Sequence, residues 1–387
     1  MLRVLTLATL FPNHLKPTLG VFVERQTQAL VARADVDLRV VAPVGLPLWP
    51  LCLHPHYAPL RRLPASEVWN GLRVYRPRYR VWPKLGVAGT ARLMAKALLP
   101  LLREIRRDFP FDVIDAEFFW PDGPAATLLA EAFGVPFSIK ARGSDIHLWG
   151  HRAGVAEQVV AAGQAADGLI AVSAALRADM AALGMPDEKI RVHHTGIDLA
   201  AFRPGDRTAG KAALGVDGPL LTGVGALLPR KGHDLSITAL TQLPDATLII
   251  AGDGPDRARL EQLARNLGVA ERVRLLGSRP HAELPALFAA ADVMVLPTVS
   301  EGLANVWVEA LACGTPVVTS DVGGAREVFD RPQYGRLVPR DPAAIAAAVR
   351  DLLADPVPQA SVREGALRFS WERNAAELAA HLAGLVR

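Results

Sequence analysis

Short apolar runs alternate with amphipathic stretches along most of the chain. The pattern predicts strands over 3–9, 37–42, 112–116, 137–141 and 168–172, and helices over 21–32, 86–107 and 123–133. A turn-rich stretch then intervenes, from Gly196-Ile197-Asp198 to Arg203-Pro204-Gly205-Asp206. Beyond it the alternation restarts. Strands are expected over 220–224, 247–251, 273–276, 293–296 and 316–319, and helices over 233–241, 256–267, 282–290 and 305–313. Apolar strands separated by helices predict parallel sheets covered on both faces. The expectation is an α/β chain of two doubly wound, Rossmann-like domains facing a cleft, with ligands at the carboxyl ends of the strands.

Composition narrows the class. At 387 residues and 50% hydrophobic, the chain has material for two or three cores. A net charge of only +4 fits a nucleic-acid binder poorly, but suits a diphosphate or an anionic membrane surface. Cys52 and Cys313 are far apart and make no metal-ligand spacing, so both are expected to be reduced in a cytosolic compartment. No apolar run is long enough to span a bilayer. The richest ones are broken by Pro47, Pro50, Pro55, Pro59 and Pro100. The N-terminal run ends in Phe11-Pro12-Asn13-His14 without a small-x-small cleavage site, and reads as a first buried strand rather than a signal peptide.

The segment from Leu296 to Ala310 is the richest in chemistry. A buried strand ends at Pro297, a polar loop carries Glu301 and Gly302, and a helix starts near Ala304 or Asn305. First-turn amides lack intrahelical partners and favour an anion such as a diphosphate. Glu309 shares a helix face with Asn305 and sits among Val306, Val308, Ala310 and Leu311. A carboxylate in such company needs a partner, and vicinal ribose hydroxyls would supply one.

Glu301 and Glu309, followed by Ala310-Leu311-Ala312-Cys313-Gly314-Thr315-Pro316-Val317-Val318, resemble the signature of the family 4 retaining glycosyltransferases, the group 1 enzymes of GT-B architecture. Val322-Gly323-Gly324-Ala325-Arg326-Glu327, Ala251-Gly252-Asp253-Gly254-Pro255 and Gly196-Ile197-Asp198 extend the match, and Phe369-Ser370-Trp371-Glu372 resembles the family's last helix. The resemblance implies an acceptor-side domain over 1–200, a donor domain over 201–365 and a helix over 366–387 that crosses back to the first domain. It implies that Glu309 holds the donor ribose and that Glu301 meets the donor sugar. The amides of Leu303, Ala304, Asn305 and Val306 would line the sugar and diphosphate.

A second cluster, Gly223 to Gly232, follows a strand. Its Lys231, which the family places there, and Arg230 would stabilise charge on the departing diphosphate. Many relatives have an arginine where this chain has Ala226. Gly225, Gly252 and Gly254 are expected beside the donor, and Gly20 resembles the family's N-terminal glycine loop. Arg142 stands where many relatives have histidine. Being always protonated, it can bind acceptor or phosphate oxygens but cannot act as a base. Asp145 or His147 would handle an acceptor proton, with a turn cap as the alternative for Asp145.

The expected reaction is transfer of a hexose from a UDP- or GDP-linked donor to a glycan or lipid-linked acceptor in envelope or exopolysaccharide synthesis. The resemblance implies retention by front-face attack. The resemblance implies neither a cofactor nor a metal, since GT-B enzymes generally need no metal, and Asp35-Val36-Asp37 sits at a strand entry away from the predicted cleft. The alternatives are a non-catalytic nucleotide-sugar binder and an NAD-dependent oxidoreductase. The second fails at Leu228-Pro229, where the dinucleotide fingerprint needs its third glycine. Arg61, Arg62, Arg73, Arg76, Arg78, Arg80 and Lys84, interleaved with Trp69, Tyr75, Tyr79 and Trp82, suggest peripheral contact with the inner face of the cell membrane. The basic helix carrying Arg92, Lys96, Arg103, Arg106 and Arg107 adds to that expectation.

Overall fold

Strand β1 (Leu2–Leu7) sends Leu5 and Leu7 into one apolar cluster and Val4 into another on the opposite face. A strand buried on both faces needs a continuous apolar run, which is what the sequence has here. The computed structural model describes residues 1–82 and 86–386. They divide into two units, 1–196 with 371–387, and 197–370.

The first unit continues with β2 (Val36–Val41), β3 (Val44–Pro47), β4 (Ser66–Trp69), β5 (Leu72–Tyr75), β6 (Arg78–Val81), β7 (Val113–Ala116), β8 (Phe137–Ala141), β9 (Gly168–Ala171) and β10 (Ile190–Val192). Its main sheet runs β10-β9-β8-β7-β1-β2-β5-β4, parallel except for the β4–β5 hairpin. The chain builds outward from β1 through β2 and β5, then returns to lay β7 on the other side of β1. The topological switch therefore lies between β1 and β7. Asp122, just beyond β7, ties the two loops there by accepting the Thr9 amide at 2.9 Å, and burial pushes its carboxyl up to about 7.

Residues 44–81, where the hydrophobic pattern predicts no element, hold four short strands. Two of them, β3 and β6, pair as a separate parallel ribbon. The ribbon continues the β2–β5 pair past Pro43 and Pro77, which supply no N–H to the ladder. Hydrogen bonds from Ala42 N to Tyr75 O (2.8 Å) and from Val44 N to Pro77 O (2.9 Å) carry the pairing across the break.

The C-terminal helix, Trp371–Ala383, is part of the first unit. Leu378 and Leu382 enter the apolar cluster of Val4. Asn374 Nδ2 donates to His194 O at 2.7 Å, and the Asn374 carbonyl meets His193 Nε2 at 2.8 Å. Ser138 Oγ lies 2.9 Å from His381 Nε2, and burial pulls that imidazole down to about 4, so the ring is neutral. The units meet the chain at 196/197 and 370/371 rather than at the expected 200 and 365. The Ile197 amide bonds the Phe369 carbonyl at 2.7 Å, which sets both crossings side by side.

In the second unit the strands are β11 (Leu220–Val224), β12 (Thr247–Ala251), β13 (Val273–Gly277), β14 (Val293–Leu296), β15 (Val317–Thr319) and β16 (Gly335–Leu337). They form one parallel sheet, ordered β13-β12-β11-β14-β15-β16. Leu220, Ile249, Met294 and Val317 enter one cluster, while their strand neighbours Leu221, Leu248, Val293 and Val318 enter the other. This is the Rossmann strand order, with its switch between β11 and β14.

Beneath the carboxyl edge of the first sheet lies a charged network in which Asp115, Glu117 and Lys140 are buried and Arg142 is partly so. Glu117 accepts from Gln26 Nε2 and pairs with Arg142, whose Nε also donates to the Glu117 carbonyl at 3.1 Å. Lys140 Nζ donates to Gln26 Oε1 and lies 2.8 Å from His193 Nδ1. Burial lowers the Lys140 ammonium and raises the Asp115 carboxyl well above its usual range. For Glu117, burial acts upward, but the Arg142 and Lys140 charges overcome it and hold the carboxyl low. Replacing one partner of such a pair leaves a buried charge uncompensated, which costs about 3–5 kcal/mol. Glu117→Gln is therefore expected to lower unfolding stability by about 3 kcal/mol in a urea titration. A loss below about 1 kcal/mol would mean that Arg142 finds other partners.

Candidate functional site

The switch between β11 and β14 fixes where a site can form in the second unit, because the loops leaving these neighbouring strands diverge. The first runs from Gly225 through a short 3-10 turn, Pro229–Lys231, into the helix His233–Ala239. The second runs from Pro297 into the helix Asn305–Ala312. They are stitched together by Val299 N donating to Arg230 O at 2.8 Å and by Thr298 Oγ1 donating to the same carbonyl at 3.2 Å. A third loop, after β15, supports them through Gly324 N to Gly302 O at 2.8 Å.

This stitching brings Lys231 Nζ to 2.5 Å from Glu301 Oε1. Thr298 Oγ1, whose single proton is shared with the Arg230 carbonyl, lies 3.0 Å from the same oxygen, and Arg230 approaches it to 4.0 Å. The Lys231 and Glu301 side chains are 12% and 13% exposed, whereas Arg230 is half exposed. The pair is thus largely shielded from water, where electrostatic interactions strengthen. The ammonium has three donors, so the bond to Glu301 leaves it capacity for further acceptors.

The amides of Leu303, Ala304, Asn305 and Val306 have no hydrogen-bond acceptor among the described residues. Trp307 N is the first in this stretch to find one, at Ala304 O, 3.0 Å away. One turn further on, the buried Glu309 has one oxygen held and one not. His281 Nε2 lies 2.8 Å from Oε1, and since a carboxylate can only accept, the ring donates. Glu309 Oε2 is buried without a partner among the described residues. His281 comes from the turn after β13 and sets its ring edge-on to buried Phe202, 5.0 Å between centroids. Sequence reasoning passed over both His281 and Thr298. The available signal for His281 was a histidine just past the carboxyl end of a strand in a doubly wound unit.

The glycines of this region have a structural explanation of their own. A Cβ on Gly252, at φ +153°, would sit 1.9 Å from the Gly225 carbonyl oxygen, and one on Gly254 would sit 2.4 Å from that of Leu227. These residues let the loops after β11 and β12 pack backbone to backbone. Cys313, behind the helix carrying Glu309, has its thiol pushed up to about 12 by burial. It is a packing residue rather than a reactive one.

In the first unit, Gly20 precedes the helix Val21–Val31 at φ +65°, and a Cβ there would meet the Leu10 carbonyl oxygen at 2.2 Å. Arg142 is committed to Glu117 and stacks over Phe22, 4.6 Å from the ring centroid. Asp145 is fully buried and accepts from the amides of Arg142, Gly143 and Phe119, at 2.9, 2.8 and 3.2 Å. Of the two expected roles, this geometry is that of the turn cap. His147 is partly exposed and lies 2.9 Å from Asp179. Asp35 pairs with Arg33, and Asp37 with Arg39.

Comparison with known proteins follows the same division. A family model described as glycosyl transferases group 1 matches residues 206–375, and one described as glycosyltransferase family 4 matches 19–201. The chain is 30% identical over 365 residues to a Bacillus subtilis protein named for teichuronic acid biosynthesis, the glycosyltransferase TuaC, covering 90% of this chain and 88% of that one. It is 35% identical over 320 residues to D-inositol 3-phosphate glycosyltransferase 1 of Catenulispora acidiphila, covering 73% and 76%. Sucrose-phosphate synthase from Thermosynechococcus elongatus shares the fold with a TM-score of 0.81 at 22% identity, over 100% and 99% of the two chains. HepE of Anabaena, solved with UDP-glucose, superposes over 100% of both chains with a TM-score of 0.73 at 22% identity. With a 30% identical relative spanning nearly the whole chain and GT-B structures matching its two Rossmann-like units, this chain belongs to family 4 of the glycosyltransferases.

Proposed function

We propose that this glycosyltransferase takes a hexose from a UDP- or GDP-linked donor and transfers it, with retained configuration, to a glycan or lipid-linked acceptor. The observation that carries the donor assignment is Glu309. One of its oxygens is fixed by His281, and the other is buried and unsatisfied. An orphaned buried carboxylate oxygen is costly, and a ribose hydroxyl is a donor that satisfies it. The unpaired amides of 303–306 suit the sugar and diphosphate at the start of the helix. HepE of Anabaena, a neighbour in fold, has been solved with UDP and with UDP-glucose. A relative named for teichuronic acid biosynthesis favours an envelope polymer as the destination. The reading puts the reaction in the cytoplasm, at the inner face of the membrane.

In the proposed reaction the bond from the anomeric carbon to the diphosphate breaks, and the acceptor oxygen bonds to that carbon on the same face. The acceptor proton passes to the departing phosphate oxygen. Lys231 and Arg230 offset the charge growing on the diphosphate, and Glu301 faces the cationic sugar. Because Glu301 is bonded to Lys231, the two are held ready before the substrate arrives, and preorganised charge lowers the barrier. In this reading Arg142 and His147 stand on the acceptor side. Asp145 acts by shaping the turn that carries them.

Glu309→Ala is expected to weaken nucleotide binding, seen as a smaller thermal shift with UDP or GDP. A saturating ligand at 100 times its Kd stabilises by about 2.7 kcal/mol. Equal shifts in the wild type and the folded variant would remove the ribose assignment.

Lys231→Ala is expected to lower turnover by about a hundredfold, or ~3 kcal/mol, with a smaller change in donor KM. Unchanged turnover with a raised KM would make Lys231 a binding residue only. With two cationic side chains serving the diphosphate, transfer is expected to persist in excess EDTA. Loss of activity that is restored by magnesium or manganese would overturn that expectation.

A further inference from the structure

Residues 38–103 contain eleven lysines and arginines against a single acidic residue, Glu67. The segment therefore carries far more positive charge than the whole chain's net +4, and the remainder is net negative. The structure divides these cations. Arg76 is buried, pairs with Glu67 and donates to Pro12 O at 2.8 Å. Arg78 donates to the Arg76 and Leu63 carbonyls. Tyr79 is buried. Arg106 stacks on Phe111 and Phe133, while Arg103 and Arg107 each have an exposed acidic chain neighbour, Glu104 and Asp108. Lys84 lies outside the described residues. Arg76, Arg78 and Tyr79 of the basic and aromatic stretch are thus taken up within the unit, while Arg73, Arg92 and Lys96 are exposed.

A different surface remains. β3 and β6 run parallel, so both leave the ribbon at the same end, one into Trp49 and the other into Trp82. Trp49 is 78% exposed and Trp82 52%. The turn that follows Trp49 exposes Leu51 and Leu53 to 56% and 52%. Both this turn and the turn Pro59–Arg62 pack on β3. Arg61, Arg62 and Arg80 are exposed, and none has a side-chain partner among the described residues. No acidic residue occurs between Val44 and Ser66. Large exposed apolar side chains and unpaired cations on one ribbon and the turns packed on it are the composition of an interfacial anchor. Tryptophan settles at headgroup depth, and arginine is drawn to anionic headgroups.

We infer that the β3–β6 ribbon and the turn after it are a docking surface for an anionic lipid bilayer. Trp49, Leu51, Leu53 and Trp82 enter the headgroup region, and Arg61, Arg62 and Arg80 hold anionic lipids. The ribbon leaves the carboxyl edge of β2 and β5, the edge at which doubly wound units bind ligands. At its foot is a cavity of about 130 Å³ lined by Thr9, Asn13, Lys16, Gly45 and Arg76. Docking there would bring a lipid-borne acceptor to that edge. The surface lies wholly in the first unit, and its test needs no catalysis, so it stands or falls apart from the donor assignment.

The full chain is sedimented with vesicles of phosphatidylcholine alone or mixed with phosphatidylglycerol. Binding is expected only with the anionic lipid, fading as salt rises through the range where screening becomes effective. Arg61→Glu, Arg62→Glu and Arg80→Glu together should weaken it more than about tenfold. Trp49→Ser with Leu51→Ser should weaken it at high and low salt alike. Arg103→Glu with Arg107→Glu should leave it within about twofold. All these positions are exposed, and an unchanged melting temperature shows each variant folded. Several results would overturn the inference: equal binding to neutral vesicles, binding that survives the triple reversal, or binding lost only with Arg103 and Arg107. So would a dimer that dissociates on Trp49→Ser, which would give the surface to a second copy of the chain.

Discussion

The bond between Lys231 and Glu301 joins the two loops that leave β11 and β14, and the organisation of the second unit serves that contact. The strands are neighbours, but the helices that follow them belong to opposite directions of winding. Only at this place do two loops part with no helix crossing between them. The Val299 amide and the Thr298 hydroxyl, both bonded to the Arg230 carbonyl, hold the loops in register. A cation and an anion are thereby set side by side, largely shielded from water.

The first unit has the same winding and a different solution at its own switch. Its charges are sealed. Glu117, Lys140 and Arg142 satisfy one another, Gln26 and His193 beneath the surface, and Asp145 is consumed by three backbone amides. Buried pairs of this kind are weak evidence for net stability but strongly penalise the loss of one member. Buried polar atoms without a partner among the described residues occur in both units, Asp115 and Asp122 Oδ1 in the first and Glu309 Oε2 in the second, where the amides of 303–306 also lack acceptors. Arg142 and Lys231 are both cations just beyond or within a strand-to-helix connection. One is closed off by a carboxylate and an aromatic ring, and the other keeps donors to offer.

By itself, the sequence determined the two doubly wound units, because strands buried on both faces must be continuous apolar runs and therefore stand out from the helices between them. Glu301, Glu309 and Lys231 were picked out through the resemblance to the family signature rather than by the apolar pattern alone. It did not determine the β3–β6 ribbon. Strands of four residues, bounded by prolines and half exposed, carry no period long enough to read. Nor did it separate Arg76, buried on Glu67, from Arg80, exposed and unpaired, because the fates of alternate residues are set by which partner packs on each face. His281 and Glu309 are 28 residues apart and on different elements, and only the parallel stacking of β13 through β14 brings the imidazole to the carboxylate. Local pattern fixes which residues face a core. Which charges meet across loops far apart in sequence depends on strand order, and that was decided only in the tertiary structure.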